Sequence, residues 1–273
     1  MGVRLGLRHL CWPPISVAEK PAPMRILALI PARYDSARFP GKPLAPIAGR
    51  PMIQHVYQCA RSCPDIDEVY VATDDERISR CVCDFGGKAI LTKKDHPSGT
   101  DRIAEAAEAL PLKGDDVVIN IQGDQPFFSP SLIPPLIEPL KLDPQVPMST
   151  LQYRITNEGE IENPNCVKMV TDKSGFALYF SRSPIPFFRD PSSGKRYYKH
   201  LGFYAYRRAF LSVFAALPPS PLESAEKLEQ MRALENGFKI KVVDSPYDSI
   251  EIDTPADIKT VEKMIAETGA DRE

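Results

Sequence analysis

No apolar run in this 273-residue chain approaches the roughly 20 residues a helix needs to span a bilayer. Basic charge is not in excess either. Thirty-four Lys and Arg face 36 Asp and Glu, giving a formal charge of −2 and a pI near 6.1, which argues against a general nucleic-acid binder. No G-x-G-x-x-G follows a strand-like run, which counts against a dinucleotide-dependent dehydrogenase. A Walker loop is missing as well: Gly41-Lys42 lacks the second glycine before it, and Pro43 stands where Ser or Thr would bind magnesium. The six cysteines (Cys11, Cys59, Cys63, Cys81, Cys83, Cys166) fit no recognised zinc spacing. A zinc site built from Cys59/Cys63 or Cys81/Cys83 is one reading of them; reduced thiols in a cytoplasmic protein is the other. Internal repeats are absent.

What remains is ordinary for a globular chain: 43% hydrophobic and 26% charged residues, enough for one large α/β domain or a domain with an insertion. Residues 1–23 stand apart, with Arg4, Arg8, His9, the sole tryptophan Trp12 and several prolines, but no apolar signal-peptide core. They read as a disordered extension, a targeting segment, or residues upstream of a natural initiator at Met24.

From residue 24 the pattern alternates. Strand-like runs at Arg25–Ile30, Glu68–Thr73, Lys88–Thr92 and Asp116–Ile121 are separated by helical spacing, as in Met52, Ile53, Val56, Tyr57 and Ala60. Asp74 and Thr100 are the expected caps of the second and third helices. This βαβ rhythm predicts an α/β fold with a mainly parallel sheet and helices on both faces. Beyond Met148, runs at Met148–Ile155, Cys166–Thr171, Phe176–Phe180 and Leu201–Tyr206 predict an antiparallel insertion over about 150–205. A helix over Leu222–Asn236, strands at Lys239–Val243 and Ser249–Ile252, and a final helix capped by Thr254 complete the expectation.

Chemistry concentrates at the ends of the apolar runs, where open α/β sheets bind ligands. Ile30–Pro43 (IPARYDSARFPGKP) carries Arg33, Arg38 and Lys42 around Gly41. Such a loop suits a nucleoside triphosphate, and it reads equally as a solvated turn. Asp124, after Gln122-Gly123, can hold Mg²⁺ or cap the following turn. Asp253 can bind the same metal if Thr254 is the helix cap. Arg182, Arg189, Lys199-His200, Tyr204 and Glu229-Gln230 suit a carboxylated, polyhydroxylated ligand, although each alone reads as structural or solvated.

Taken in order, IPARYDSARFPGKP, VATDD, HPSGTDR, NIQGDQP, NPNCVK, YFSRSPIP, KHLGFYAY, SPLESAEKLEQMR and IDTPADI closely resemble the 3-deoxy-manno-octulosonate (Kdo) cytidylyltransferases, also called CMP-Kdo synthetases. The resemblance runs from about Met24 to Ile258. It implies a Rossmann-like nucleotidyltransferase fold and transfer of CMP from CTP to the sugar acid for lipopolysaccharide biosynthesis. It further implies a homodimer through about 150–205. By the same resemblance Pro31, Ala32, Arg33, Arg38, Lys42, Ser98, Gly99, Thr100 and Arg102 bind the nucleotide. Asp124 and Asp253 hold Mg²⁺, and Gln122, Arg182, Arg189, His200, Tyr204, Glu229 and Gln230 contact the sugar. Arg33, Lys42 and the two aspartates form the expected catalytic set. Two departures stand out: Gln125 where the family more often has Glu, and Ala37-Arg38-Phe39 in place of Thr-Arg-Leu. The alternatives are a cytidylyltransferase for 8-amino-Kdo or a sialic-acid-like sugar, and a non-catalytic nucleotide-binding protein.

Overall fold

Strand β1 (Ile26–Ala32) buries every residue except Pro31, as a strand covered on both faces must. The computed structural model describes residues 23–35, 39–190 and 194–268. Expectations for residues 1–22 and for Arg38 therefore lie outside the described residues. After β1 come the two-residue strands β2 (Pro46–Ile47) and β3 (Arg50–Pro51), then α1 (Met52–Arg61), β4 (Glu68–Thr73) and α2 (Glu76–Asp84). Next are β5 (Ala89–Leu91), α3 (Gly99–Glu108), β6 (Val117–Asn120) and α4 (Ile133–Leu142). The second half adds β7 (Met148–Arg154), β8 (Lys168–Thr171), β9 (Ala177–Ser181), β10 (Tyr198–Arg207) and α5 (Arg208–Ala216). It closes with α6 (Pro221–Glu226), α7 (Met231–Glu235), β11 (Ile240–Asp244) and α8 (Pro255–Thr268).

One sheet runs in the order β11-β7-β10-β6-β1-β4-β5, with β8 and β9 branching from β10. β6, β1, β4 and β5 are parallel neighbours, as the alternation predicts. Only β10 on that path runs against the rest. The expected antiparallel region is thus real in β10, β8 and β9, but β7 itself points with the parallel strands and pairs in parallel with β11. The layers follow from period-two burial along β1. Ile26, Ala28 and Ile30 pack with α1, α2 and α4, while Leu29 faces α3 and α5 on the other side.

Four local expectations are corrected. Asp75, not Asp74, caps α2 by accepting from the Arg77 amide at 2.8 Å, because Asp74 is drawn to the Arg102 guanidinium at 3.1 Å. Ser98, not Thr100, caps α3, which leaves Thr100 in the first helical turn with its hydroxyl turned to Glu229. The helix expected over 222–236 is two short ones, broken where Lys227 takes a left-handed backbone. Residues 249–252 form no strand: the buried Ile252 ties its amide to Asp124 O at 2.9 Å rather than joining a ladder.

The topology sets the site at one edge. Tyr204 on β10 pairs with Asn120, the last residue of β6, so residues 198–203 of β10 continue past the end of the parallel strands. Gly123 lies directly under β1. A Cβ there would sit 2.9 Å from Pro31 O, a backbone atom that cannot swing aside. Gly123→Ala should therefore lower stability by about 1–3 kcal/mol, read as a fall in urea midpoint with an unchanged slope. A wild-type midpoint would show that the β1–β6 edge can open to admit the methyl.

Candidate active site

Two cavities open side by side where β1 and β6 end. The first, about 270 Å³, is bordered by Pro31, Ala32, Arg33 and Lys42, by Ser98, Gly99 and Arg102 at the start of α3, and by Asp124 and Asp253. Beside it a cavity of about 300 Å³ is bordered by Thr100, His200, Tyr204, Glu229 and Gln230. Gln122 and Asp124 border both. The described residues expected to bind nucleotide border the first cavity except Thr100, which borders the second together with Gln122, His200, Tyr204, Glu229 and Gln230 of the expected sugar set. Arg182 and Arg189 border neither. Arg182 is tied to the Glu226 carbonyl at 2.7 Å and the Pro164 carbonyl at 2.8 Å, and Arg189 is exposed.

Lys42 is the junction. Gly41, at φ 73°, supplies the left-handed turn from which the lysine leaves, and its amide bonds back to Tyr34 O at 2.8 Å. The Lys42 ammonium then donates to Asp124 Oδ2 at 2.7 Å, to Ile252 O at 2.9 Å and to Asp253 Oδ1 at 3.4 Å. Asp253 is held in turn by its backbone: the amides of Asp253 and Thr254 both donate to the Asp257 carboxylate, at 3.0 and 2.7 Å. The expected cap Thr254 donates its hydroxyl to the same carboxylate at 2.9 Å. Burial of Ile252, Ile47, Met52 and Val261 in one small apolar cluster docks α8 and fixes this corner.

The donor set fits a hard divalent cation. Asp124 Oδ1 is buried and has no hydrogen-bond partner, so one carboxylate oxygen is left for a ligand. Among the described residues no group of three or more His, Cys, Asp or Glu could hold a metal, so the remaining ligands of such an ion would come from phosphate or water. The zinc reading of the cysteines fails on the same finding. The Cys59 thiol donates to Phe128 O at 2.8 Å, and burial pushes Cys59 up to about 12 and Cys63 up to about 11, away from the thiolate that zinc takes.

The second compartment is held by hydroxyls and carboxylates. Glu229 accepts from Ser98 Oγ at 2.7 Å and Thr100 Oγ1 at 2.9 Å, which links the loop between α6 and α7 to the start of α3. Burial raises the Glu229 carboxyl to about 6, against the lowering effect of those two hydroxyls. His200 stands between the rings of Phe180 and Tyr204, with centroids at 5.3 and 5.1 Å. Burial lowers it to about 3, so it is neutral. Thr150 gives its only hydroxyl proton to Phe203 O at 2.6 Å, so His200 Nε2, 3.0 Å from that hydroxyl, must be the donor. Nδ1 is left as an acceptor. Gln125 donates to Leu201 O at 2.8 Å, a bond that a glutamate carboxylate could not make.

Sequence reasoning missed several bordering residues, among them His96 on the first cavity and Glu251 on the second. Asp74, expected as a cap, borders neither cavity but pairs with Arg102, which borders the first. Lys227 borders the second cavity, and a smooth helical periodicity over 222–236 concealed it.

Comparisons with known proteins identify relatives of the chain. The profile of the family described as "Cytidylyltransferase" matches residues 27–240. A 3-deoxy-manno-octulosonate cytidylyltransferase of Syntrophus aciditrophicus is 53% identical over 241 residues, covering 88% of this chain and 97% of that protein. An 8-amino-3,8-dideoxy-manno-octulosonate cytidylyltransferase of a Shewanella species is 55% identical over 244 residues, covering 89% and 99%. A solved CMP:2-keto-3-deoxy-manno-octonic acid synthetase in complex with CTP superposes with TM-score 0.84 at 43% identity, over 89% of this chain and 99% of the other. With its sheet, its paired cavities and these matches, the chain belongs to the cytidylyltransferase family.

Proposed function

We propose that the protein transfers CMP from CTP to the anomeric hydroxyl of Kdo, releasing pyrophosphate. One observation carries the reading: Asp124 and Asp253, from distant parts of the chain, meet at the Lys42 ammonium on the first cavity, and Asp124 also borders the second. The sugar hydroxyl attacks the α-phosphorus, the bond to the bridging oxygen of pyrophosphate breaks, and negative charge grows on the phosphoryl oxygens and the leaving group. Lys42 and Arg33, on the nucleotide side, are the cations that oppose that charge. Asp124 and Asp253 would hold Mg²⁺, whose chemistry there is to neutralise phosphate charge and lower the pKa of the attacking hydroxyl. His200, kept neutral by burial, accepts from a sugar hydroxyl through Nδ1. A homodimer belongs to the same reading, and Leu178 on β9 (60% exposed) and Phe187 (89% exposed) are apolar side chains that a second copy would cover.

A second sugar is favoured by one finding, since relatives named for the 8-amino sugar match at 55% identity, beside 53% for one named for Kdo. A panel of CTP and UTP against Kdo, 8-amino-Kdo and sialic acid, scored by pyrophosphate release, tests the assignment. Release with CTP and Kdo is expected; release with 8-amino-Kdo alone would move the assignment to that sugar, and release with none would remove it.

Lys42→Ala and Asp124→Asn should each lower turnover roughly a hundredfold or more, with far-UV circular dichroism unchanged. Turnover near wild type in either variant would strike that residue from the catalytic set. Glu229 supplies a pH test. Ser98 Oγ lies 2.7 Å from both Glu229 and Asp101 yet has one proton, so the two carboxylates compete for it and a proton on Glu229 relieves the competition. The carboxyl sits at about 6 when folded against an ordinary 4.5, so the folded state binds the extra proton. The stability of the wild type relative to Glu229→Gln should fall as pH rises from about 4.5 through 6, then level off. A difference that does not change with pH in urea titrations would refute it.

A further inference from the structure

The break between α6 and α7 brings to the sugar-side cavity a group that no expectation assigned. Lys227 is the one cation among the described residues bordering that cavity, whose other charged walls are Asp124, Glu229 and Glu251. Its backbone is left-handed, at φ 54° and ψ 45°, and only Ala48 among the other described non-glycine residues shares a positive φ. Side chains larger than glycine hold that conformation only where the surroundings impose it. Three residues on, Gln230 is 5% exposed, and its Nε2 is buried without an acceptor. A buried donor left unmatched is costly, and a ligand oxygen would satisfy it.

An anionic sugar therefore finds one charge of the opposite sign here. Arg182, expected to meet the sugar, instead imposes the turn. Its Nε donates to Glu226 O at 2.7 Å and its Nη2 to Lys227 O at 3.4 Å, while its own amide donates to the Glu226 carboxylate at 3.0 Å. These bonds cap the last carbonyls of α6 and hold the left-handed residue in place.

We infer that Lys227 binds the carboxylate of the sugar acid, with Gln230 Nε2 as the second donor, and that Arg182 is a positioning residue acting through the turn. The inference rests on reading the second cavity as the sugar site. Lys227→Asn tests it, because asparagine tolerates the left-handed backbone and removes the charge. Steady-state kinetics with CTP and Kdo should show the KM for Kdo rising about tenfold or more, as for a lost charge-assisted hydrogen bond, with the KM for CTP within about twofold. Lys227→Arg should recover most of the loss. The C1 amide of Kdo, used as a competitor, should bind the wild type more weakly than Kdo does but bind Lys227→Asn about equally. An unchanged KM for Kdo in Lys227→Asn, or equal rises in both KM values together with a lower thermal midpoint, would overturn the assignment. Failure of the wild type to turn over Kdo would instead overturn the parent reading.

Discussion

Everything at the active edge depends on where one ammonium sits. Lys42 reaches across 82 residues to Asp124 and 211 to Asp253, and its side chain is only 14% exposed. Two carboxylates brought this close without a cation between them would repel and part. The Ile252 carbonyl gives the ammonium a third acceptor, and the Ile252 amide bonds Asp124 O, so the same residue locks both partners by its main chain. The clamp is thus both electrostatic and structural. It joins the exit of β1, the turn after β6 and the entry to α8, three segments that share no ladder.

The two halves of the chain were unequally legible, for a physical reason. Strands β1, β4 and β6 lie between helical layers, so they must be apolar on both faces, and such runs are visible without any partner. Glu68–Thr73 was placed to the residue. Beyond residue 148, pairing partners are set by topology. β7 runs with β6 because β10 slots between them antiparallel to both, and nothing in Met148–Ile155 records that. Ile250 and Ile252 alternate like strand residues, yet the segment forms no strand and Ile252 is a clamp. Leu222 to Asn236 kept helical spacing through a left-handed lysine, because periodicity reports which side chains are apolar and is blind to a single backbone dihedral.

The site divides the same way. Lys42, Asp124 and Asp253 were found because each follows an apolar run, and strand ends in such sheets converge on one edge. Arg182 was chosen for its charge, and charge cannot say whether a guanidinium faces a ligand or a helix end. That distinction needs the carbonyls of Glu226 and Lys227, which sit 44 and 45 residues away in the chain.

The shared wall between the cavities bears on how the proposed reaction is kept from going astray. Gln122 and Asp124 border both compartments, and Gln122 Nε2 lies 3.4 Å from Asn120 Oδ1, which fixes it to the end of β6. Glu229, on the second cavity, holds Ser98 and Thr100, so the loop between α6 and α7 and the start of α3 are one bonded unit. The two cavities are therefore walled by segments hydrogen-bonded to one another. In a reaction whose acceleration comes from positioning and charge, a wall bonded on both sides is what a fixed approach of hydroxyl to phosphorus requires.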